Sequence, residues 1–281
     1  EGRRIHLRAG QEGRRPILTP SLADLVGTGP LHAGVHALLQ RLAADGPPDA
    51  VCIDRLAATV GRPLNAAGIP LTFTADAPAE PGGYEARIAA CGRVGTRDAC
   101  WHDLFNALVW LRYPRIKAAM NARHCAEIAQ RPAGERGPVR DALTQFDEDG
   151  LVLVSDDAAL IDALRGHRWR EAMHQRRAAL ERARLHVIGH ALMDKARAPH
   201  VGLCAKVLHL HVDELPGGAA DVLANVAAFD RWLASRIEAG QWPATPRDLK
   251  PLPVLGLPGM TPDNLDPAYF DDTRQFRPAR A

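Results

Sequence analysis

The segment 96–110, TRDACWHDLFNALVW, constrains the fold most, because it carries polar side chains inside a strongly apolar helical pattern. Two tryptophans and a phenylalanine supply apolar surface, and His102, Asp103 and Asn106 interrupt it. A buried polar group without a hydrogen-bond partner costs about 1–3 kcal/mol. These three side chains therefore either tie the fold together or form a functional site. Asp103 has the further alternative of capping the helix.

The bulk composition is that of a globular protein with a hydrophobic core. Of the 281 residues, 46% are hydrophobic and 24% are charged. We predict a single globular domain over residues 16–281, preceded by a flexible arm over residues 1–15 that is rich in arginine and glycine. No apolar run approaches the roughly 20 residues of a membrane span, so we expect no membrane partner.

The spacing of apolar residues predicts an α+β fold that is mainly helical. We expect two small antiparallel hairpins, one pairing 69–75 with 84–90 and the other pairing 142–146 with 151–154 around an acidic turn. Six prolines after Leu249 exclude long regular elements there, and the apolar residues among them predict an ordered, irregular C-terminal strap. The other predicted elements are helices over 101–113, 114–130, 157–164, 169–195 and 221–238 and a strand over 204–212.

Charge and cysteine content favour no particular partner class. The formal net charge is +2, and only four of the 35 basic residues are lysines. A GC-rich genome explains this arginine bias, and without a concentrated basic stripe a nucleic-acid partner is not favoured. The five cysteines form no CxxC pair, so neither a disulfide framework nor a zinc knuckle is predicted. Reduced thiols indicate a cytoplasmic protein.

Two further groups of polar residues have both structural and chemical interpretations. His186 and His190 have the HxxxH spacing of two metal ligands on one helix. However, no glutamate follows His186, so the HExxH protease pattern is absent, and a chance pair is expected among twelve histidines. Asp141 follows Arg140 at the entrance to the second hairpin, where a structural ion pair and a site role both stay open.

Four blocks of sequence carry a family resemblance: 96–110, 140–148, 189–192 and 251–278. In this order they resemble a bacterial family catalogued as domain of unknown function 3025. The resemblance implies a cytoplasmic bacterial protein of one compact domain and implies no particular activity. It also indicates that the polar residues inside the blocks belong together in one pocket, whereas His186, His209 and His211 lie outside this set.

Our first hypothesis is a hydrolase that acts on a small anionic substrate, either with a divalent metal or by acid–base catalysis. A separation of His102 and His190 above about 12 Å would exclude one shared site, since metal–ligand bonds are near 2 Å. The alternative is a non-catalytic module that binds a ligand, RNA or a protein, with the same residues as a buried network. The candidate catalytic residues are His102, Asp103, Asp141 and His190, the candidate metal ligands are His102 and His190, and the candidate substrate-binding residues are Asn106, Arg140, Asp263 and Asn264.

Overall fold

A computed structural model of the chain describes residues 22, 29–42, 46–76, 83–130, 135–215 and 224–279. The arm predicted over 1–15 lies outside the described residues. The helices are α1 (His36–Leu42), α2 (Ala50–Val60), α3 (Gly83–Cys91), α4 (Trp101–Arg112), α5 (Pro114–Ala129), α6 (Pro138–Asp149), α7 (Ala158–Arg165), α8 (Arg177–Arg182), α9 (His190–Lys195) and α10 (Val226–Glu238). The strands are β1 (Thr72–Thr74), β2 (Arg93–Gly95), β3 (Gly150–Ser155), β4 (Arg184–Val187), β5 (Cys204–His211) and β6 (Lys250–Pro253).

The larger of two sheets has four strands in the order β4-β3-β5-β6. Strand β3 runs parallel to β5, whereas β4 and β6 pair antiparallel with their neighbours. All six residues of β3 are buried, as expected for a continuous apolar run at the centre of a covered sheet. Strands β1 and β2 form a separate parallel pair. The α+β, mainly helical fold predicted from the sequence is confirmed.

The predicted hairpin between 69–75 and 84–90 is wrong, because 84–90 lies in helix α3. Strand β1 pairs instead with β2, which follows α3 and runs parallel to β1. The segment is rich in alanine, the residue with the strongest helix propensity. Ile88 is its one fully buried side chain, so a single helical face satisfies its packing.

The second predicted hairpin is also wrong, because 142–146 belongs to helix α6. Pro138 occupies the first helical turn, where its missing N–H costs nothing. The buried residues Ala142, Leu143 and Phe146 recur at helical spacing and pack on one face. The acidic residues 147–149 therefore end a helix, and the chain passes directly into β3.

The long helix predicted over 169–195 is broken into four pieces. A π-helical turn, Glu171–Gln175, is followed by α8, then by strand β4, then by α9. Pairing of β4 with β3 outweighs helix propensity in this stretch. His186 consequently lies in a strand and His190 at a helix start, so the two do not share a helical face. The predictions of α4, α5 and β5 are confirmed, as is that of α7, whose N-cap is Asp157.

A close approach of two glycines joins α6 to α9. The N–H groups of Ile188 and Gly189 both donate to the Gly150 carbonyl, at 2.9 and 2.8 Å. A Cβ atom on Gly189 would lie 2.4 Å from the Gly150 nitrogen, well inside van der Waals contact. Only glycine at 189 allows this approach, which places the start of α9 beside the end of α6.

The C-terminal residues form the ordered strap that their composition predicts. After β6 the chain makes short 3₁₀ turns at Val254–Gly256, Pro262–Leu265 and Pro267–Asp271. Phe270 and Phe276 from the strap join the hydrophobic core. Within the described ranges, no helix combines the length and apolar character that crossing a bilayer requires.

Candidate functional site

The side chains of His102, Glu148 and His190 converge, although they come from the start of α4, the end of α6 and the start of α9. One potential ligand atom of each lies within 4.8 Å of those of the other two. His102 Nε2 is 3.6 Å from Glu148 Oε2, and His190 Nε2 is 3.9 Å from Glu148 Oε1. The imidazole centroids are 4.5 Å apart. This distance is well below the separation that would exclude a shared site.

Each of the two histidines has an aspartate beside its other ring nitrogen. Asp103 Oδ1 lies 3.1 Å from His102 Nδ1, and Asp147 Oδ2 lies 3.8 Å from His190 Nδ1. The second distance exceeds a hydrogen bond, and His190 Nδ1 is buried without a hydrogen-bond partner. Both imidazoles thus turn Nδ1 toward an aspartate and Nε2 toward Glu148. Histidines that bind metals are typically oriented by a carboxylate in this way.

Asp103 links His102 to the loop before α4. Its Oδ2 accepts from the Arg97 backbone N–H at 2.7 Å and from Arg97 Nε at 2.9 Å, while Oδ1 accepts from Nη2 at 2.8 Å. The N-cap of α4 is Cys100, and its side chain makes no capping hydrogen bond. Asp103 itself lies in the first turn of α4, where the helix dipole favours an anion, so this part of the capping alternative still applies. Its carboxylate also binds Arg97 in the preceding loop and faces His102.

Three successive carboxylates, Asp147, Glu148 and Asp149, end α6. The negative end of the helix dipole disfavours anions at this position. Two lysines offset this cost: buried Lys117 pairs with Asp147, and Lys195 Nζ lies 2.6 Å from Asp149 Oδ1. Between them, Glu148 faces the two histidines.

The pKa values of the two histidines are shifted in opposite directions. The hydrogen bond to Asp103 and the nearby Glu148 raise the pKa of His102 to about 10. His102 in turn lowers the pKa of Glu148. Burial lowers the pKa of His190, although Asp147 opposes this shift. A cation bound among these side chains would therefore replace a proton on His102 and meet a neutral His190.

A pocket of about 450 Å³ lies beside the three converging side chains. Behind its wall, buried Lys117 donates from Nζ to Asn106 Oδ1 at 3.0 Å, and in the wall Asn106 Nδ2 donates to Tyr84 Oη at 2.8 Å. Burial and the charge of Asp147 raise the pKa of Glu85 in the same wall to about 7. Other residues that line the pocket are Arg87, Thr96, Arg97, His124 and Thr144.

Four of the predicted site residues line this pocket: His102, Asp103, Asn106 and His190. The other four are not part of its lining. Asp141 is half-exposed and pairs with Arg136, 3.0 Å from its Nε. Arg140, one residue before, donates to the Glu135 carbonyl at 3.2 Å.

Asp263 and Asn264 lie in the strap, which contributes no residue to this pocket. Asp263 is exposed. Asn264 is fully buried, and its Nδ2 donates to the carbonyls of Leu255 and Leu257 at 2.9 and 2.8 Å. Its Oδ1 accepts from Arg177 of α8 at 3.1 Å. Asn264 therefore fixes the fold of the strap, and the expected convergence of the strap on this pocket is wrong.

Sequence reasoning missed Glu148 and Asp147 because both were assigned to a turn. The helical spacing of the apolar residues before them was the signal that could have found them. Tyr84 and Glu85 were missed because their helix was predicted as a strand. Lys117 was missed because nothing in its own helix marks it as buried.

His186 and His209, which lie outside the resembling blocks, are part of the core. His186 stacks flat on Phe229, with 3.7 Å between ring centroids and 9° between planes, and burial lowers its pKa to about 4. His209 is buried in β5, and burial lowers its pKa to about 3. Neither lines the pocket, as expected from their position outside the resembling blocks.

No curated protein and no solved structure matches the chain. The family described as protein of unknown function (DUF3025) matches residues 71–280, a range that covers most of the chain and every residue of the pocket. The chain therefore belongs to this family of unknown function, DUF3025.

Proposed function

We propose that the protein is a metal-dependent hydrolase in which His102, Glu148 and His190 bind one divalent cation. The observation that carries this proposal is the common orientation of the two imidazoles. Both Nε2 atoms face one carboxylate, and both Nδ1 atoms face an aspartate. Histidine ligands of metal sites are typically oriented in this way, with the second ring nitrogen turned toward a carboxylate.

The distances support a cation of the size of zinc. Zinc bonds to histidine nitrogen and carboxylate oxygen are about 2.0–2.2 Å, so two ligand atoms of a tetrahedral site lie about 3.3–3.5 Å apart. The Nε2 atoms of His102 and His190 are 3.6 and 3.9 Å from the oxygens of Glu148. One ligand atom from each of the three side chains lies within 4.8 Å of the other two, so side-chain movements on the order of an ångström would bring them to these distances.

Two histidines and one glutamate match the ligand set of hydrolytic zinc enzymes, which keep a further position open. A cation held by these residues would lower the pKa of a bound water to about 7 and supply a nucleophile at neutral pH. The adjoining pocket would provide space for a substrate beside the cation. The same ligands also suit ferrous iron, so the identity of the metal is part of the test.

We further propose that the substrate carries an anionic group. Arg87 and Arg97 line the pocket. The Nε and Nη2 groups of Arg97 donate to Asp103, but its side chain is 72% exposed, and charged donors of this kind attract carboxylate and phosphate oxygens. We assign to these two residues the role that the sequence suggested for Arg140.

A closed network whose polar groups are all satisfied, with no pocket beside it, would favour the non-catalytic alternative. The adjoining pocket and the unsatisfied Nδ1 of His190 count against a purely structural network. We place the reaction in the cytoplasm, and the five unpaired cysteines are in keeping with that location.

Elemental analysis of the purified full chain tests the proposal. The protein is stripped with a chelator, dialysed against zinc or ferrous iron, and measured by mass spectrometry of the metals. We expect one equivalent in the parent and in the exposed control His200→Ala. His190→Ala and Glu148→Gln should each lose at least nine tenths of the metal while remaining folded. No stoichiometric metal in the parent, or equal metal in all four proteins, would contradict the proposal.

A further inference from the structure

We infer that Tyr84 is a catalytic hydrogen-bond donor in this pocket, positioned to stabilise the oxyanion that forms when a substrate carbonyl group is attacked. This inference rests on the proposed metal-dependent hydrolysis and adds the class of the reacting group. Tyr84 lines the same pocket as the three proposed ligands. As a residue it is 36% exposed, so its ring reaches from the surface into the wall.

The hydrogen bonds along the wall fix the direction in which the Tyr84 hydroxyl donates. The ammonium group of Lys117 can only donate, so the Asn106 oxygen must be the atom that faces it, at 3.0 Å. The Asn106 amide nitrogen is then turned to Tyr84 Oη and donates to it at 2.8 Å. The tyrosine oxygen is thereby used as an acceptor, and its own proton remains available to another acceptor.

The protonation state of Tyr84 agrees with a donor role. Burial of the hydroxyl raises the pKa of Tyr84 far above its usual value, and the charges of Glu85 and Asp147 raise it further. The phenol therefore stays protonated throughout the working pH range. It can donate a hydrogen bond, but it cannot serve as a base or a nucleophile.

The position of Tyr84 relative to the proposed metal follows from helix α4. Asn106 lies four residues after His102, so the two side chains are neighbours on one helical face. The hydroxyl bound to Asn106 is consequently held about one turn along the helix from the proposed ligand. A substrate oxygen between cation and hydroxyl would be polarised from two sides.

One neutral hydroxyl donor suits a reacting group that develops a single oxyanion. A phosphoryl group carries several anionic oxygens before it is attacked, whereas the hydroxyl of Tyr84 offers one proton. An ester or amide carbonyl is neutral until it is attacked. The water oxygen bonds to the carbonyl carbon as the π electron pair moves to the carbonyl oxygen, which Tyr84 stabilises. The pair then returns, the bond to the leaving group breaks, and the leaving group takes the proton that the water has lost.

Binding of acetohydroxamate to the full chain loaded with Co²⁺ tests this inference without requiring the natural substrate. Acetohydroxamate offers an anionic oxygen to the cation and a carbonyl oxygen to a neighbouring donor. Its affinity is read from the visible absorption of the cobalt ion. We expect Tyr84→Phe to keep its cobalt and its thermal stability and to bind the probe at least about tenfold more weakly, the loss typical of a hydrogen bond to a charged group.

The matched control is Tyr269→Phe, which removes a hydroxyl from the strap outside the pocket and should leave the affinity unchanged. With 4-nitrophenyl acetate as substrate, Tyr84→Phe should lower kcat about 10²–10³-fold with little change in KM. Failure of the parent to bind cobalt refutes the metal site itself. Three outcomes would overturn only the role of Tyr84. The parent could bind cobalt but not acetohydroxamate, the parent and Tyr84→Phe could bind acetohydroxamate equally well, or inorganic phosphate could bind more tightly than acetohydroxamate.

Discussion

Lys117 and Asp147 form an ion pair inside the fold, and the lysine side chain is only 4% exposed. The same ammonium group donates to Asn106, while the other oxygen of Asp147 faces His190. The buried ammonium group of Lys117 therefore affects residues on both sides of the pocket. It neutralises the aspartate behind a proposed metal ligand and orients the amide that holds Tyr84.

Replacing Lys117 by methionine should destabilise the protein strongly, because it leaves Asp147 buried beside Glu85 without its counter-ion. Loss of one partner from a buried ion pair typically costs about 3–5 kcal/mol. Lys195→Met removes the half-exposed partner of Asp149 on the same helix end, where the expected cost is at most about 1 kcal/mol. Urea unfolding of the two variants gives both free energies. Equal losses would show that Lys117 is not needed to neutralise Asp147.

Asp103→Asn should weaken metal binding about 10–100-fold with little loss of fold. The neutral amide cannot increase the basicity of His102 as the carboxylate does, and changes of this kind in other metal sites have that magnitude. Competition with a chromogenic chelator measures the affinity. Asp141→Asn is the matched control, since Asp141 lies outside the pocket lining and pairs with Arg136. A loss of affinity in Asp141→Asn equal to that in Asp103→Asn would count against the position we assign to Asp103.

Glu85 should make the stability of the protein fall as the pH rises from about 4.5 to 7. Burial and Asp147 raise its pKa from 4.5 to about 7, while Asn121, Lys117 and Arg140 oppose that shift. A group whose pKa is raised by folding stabilises the protein fully below its unfolded pKa, and this contribution is lost as the pH rises through the folded pKa.

Glu85→Gln should therefore gain stability relative to the parent between pH 4.5 and 7. The gain should be about 1–2 kcal/mol, less than the full linkage value because the residue is partly exposed. Urea unfolding at several pH values measures the difference, with the exposed Glu181→Gln as control. A difference between Glu85→Gln and parent that does not vary with pH would refute the prediction.

Gly189→Ala should both destabilise the fold and weaken metal binding. The added Cβ would lie 2.4 Å from the Gly150 nitrogen and must push α9 away from α6. We expect a loss of about 1–3 kcal/mol, the usual cost of overpacking, and a metal affinity reduced at least about tenfold, since ligand placement within fractions of an ångström decides affinity. Gly46→Ala is the control, because nothing lies within 4 Å of its Cβ position. Unchanged metal affinity in Gly189→Ala would mean that this approach does not position His190.

Elements whose apolar residues recur with a clear helical or strand period were predicted correctly. The predictions failed where the apolar residues fit both periods. Helices α4 and α5 follow from the apolar run before Tyr113 and from the proline after it. Segments 84–90 and 142–146 are short, and a few apolar residues fit a strand and a helix equally well. Their state is decided by tertiary packing, which no local pattern contains.

Four of the eight site residues that were predicted from the sequence line the pocket. His102 and His190 stand out because an imidazole within an apolar motif needs a partner. Glu148 and Lys117 carry no such mark, since charged residues on a helix are ordinarily solvated. Their burial depends on how α5 and α6 pack, and the strap residues Asp263 and Asn264 could be excluded from the pocket only when that packing was known.

The contact between Gly150 and Gly189 also has a consequence for the order of assembly. The three proposed ligands are separated by more than forty residues in the chain, so an unfolded chain has no preformed cation site. In the folded chain they are brought together where β4 pairs with β3 and the chain turns into α9 at that contact. Uptake of metal is therefore expected to be a late step of folding. The bound cation would stabilise the contact among three segments that are far apart in the sequence.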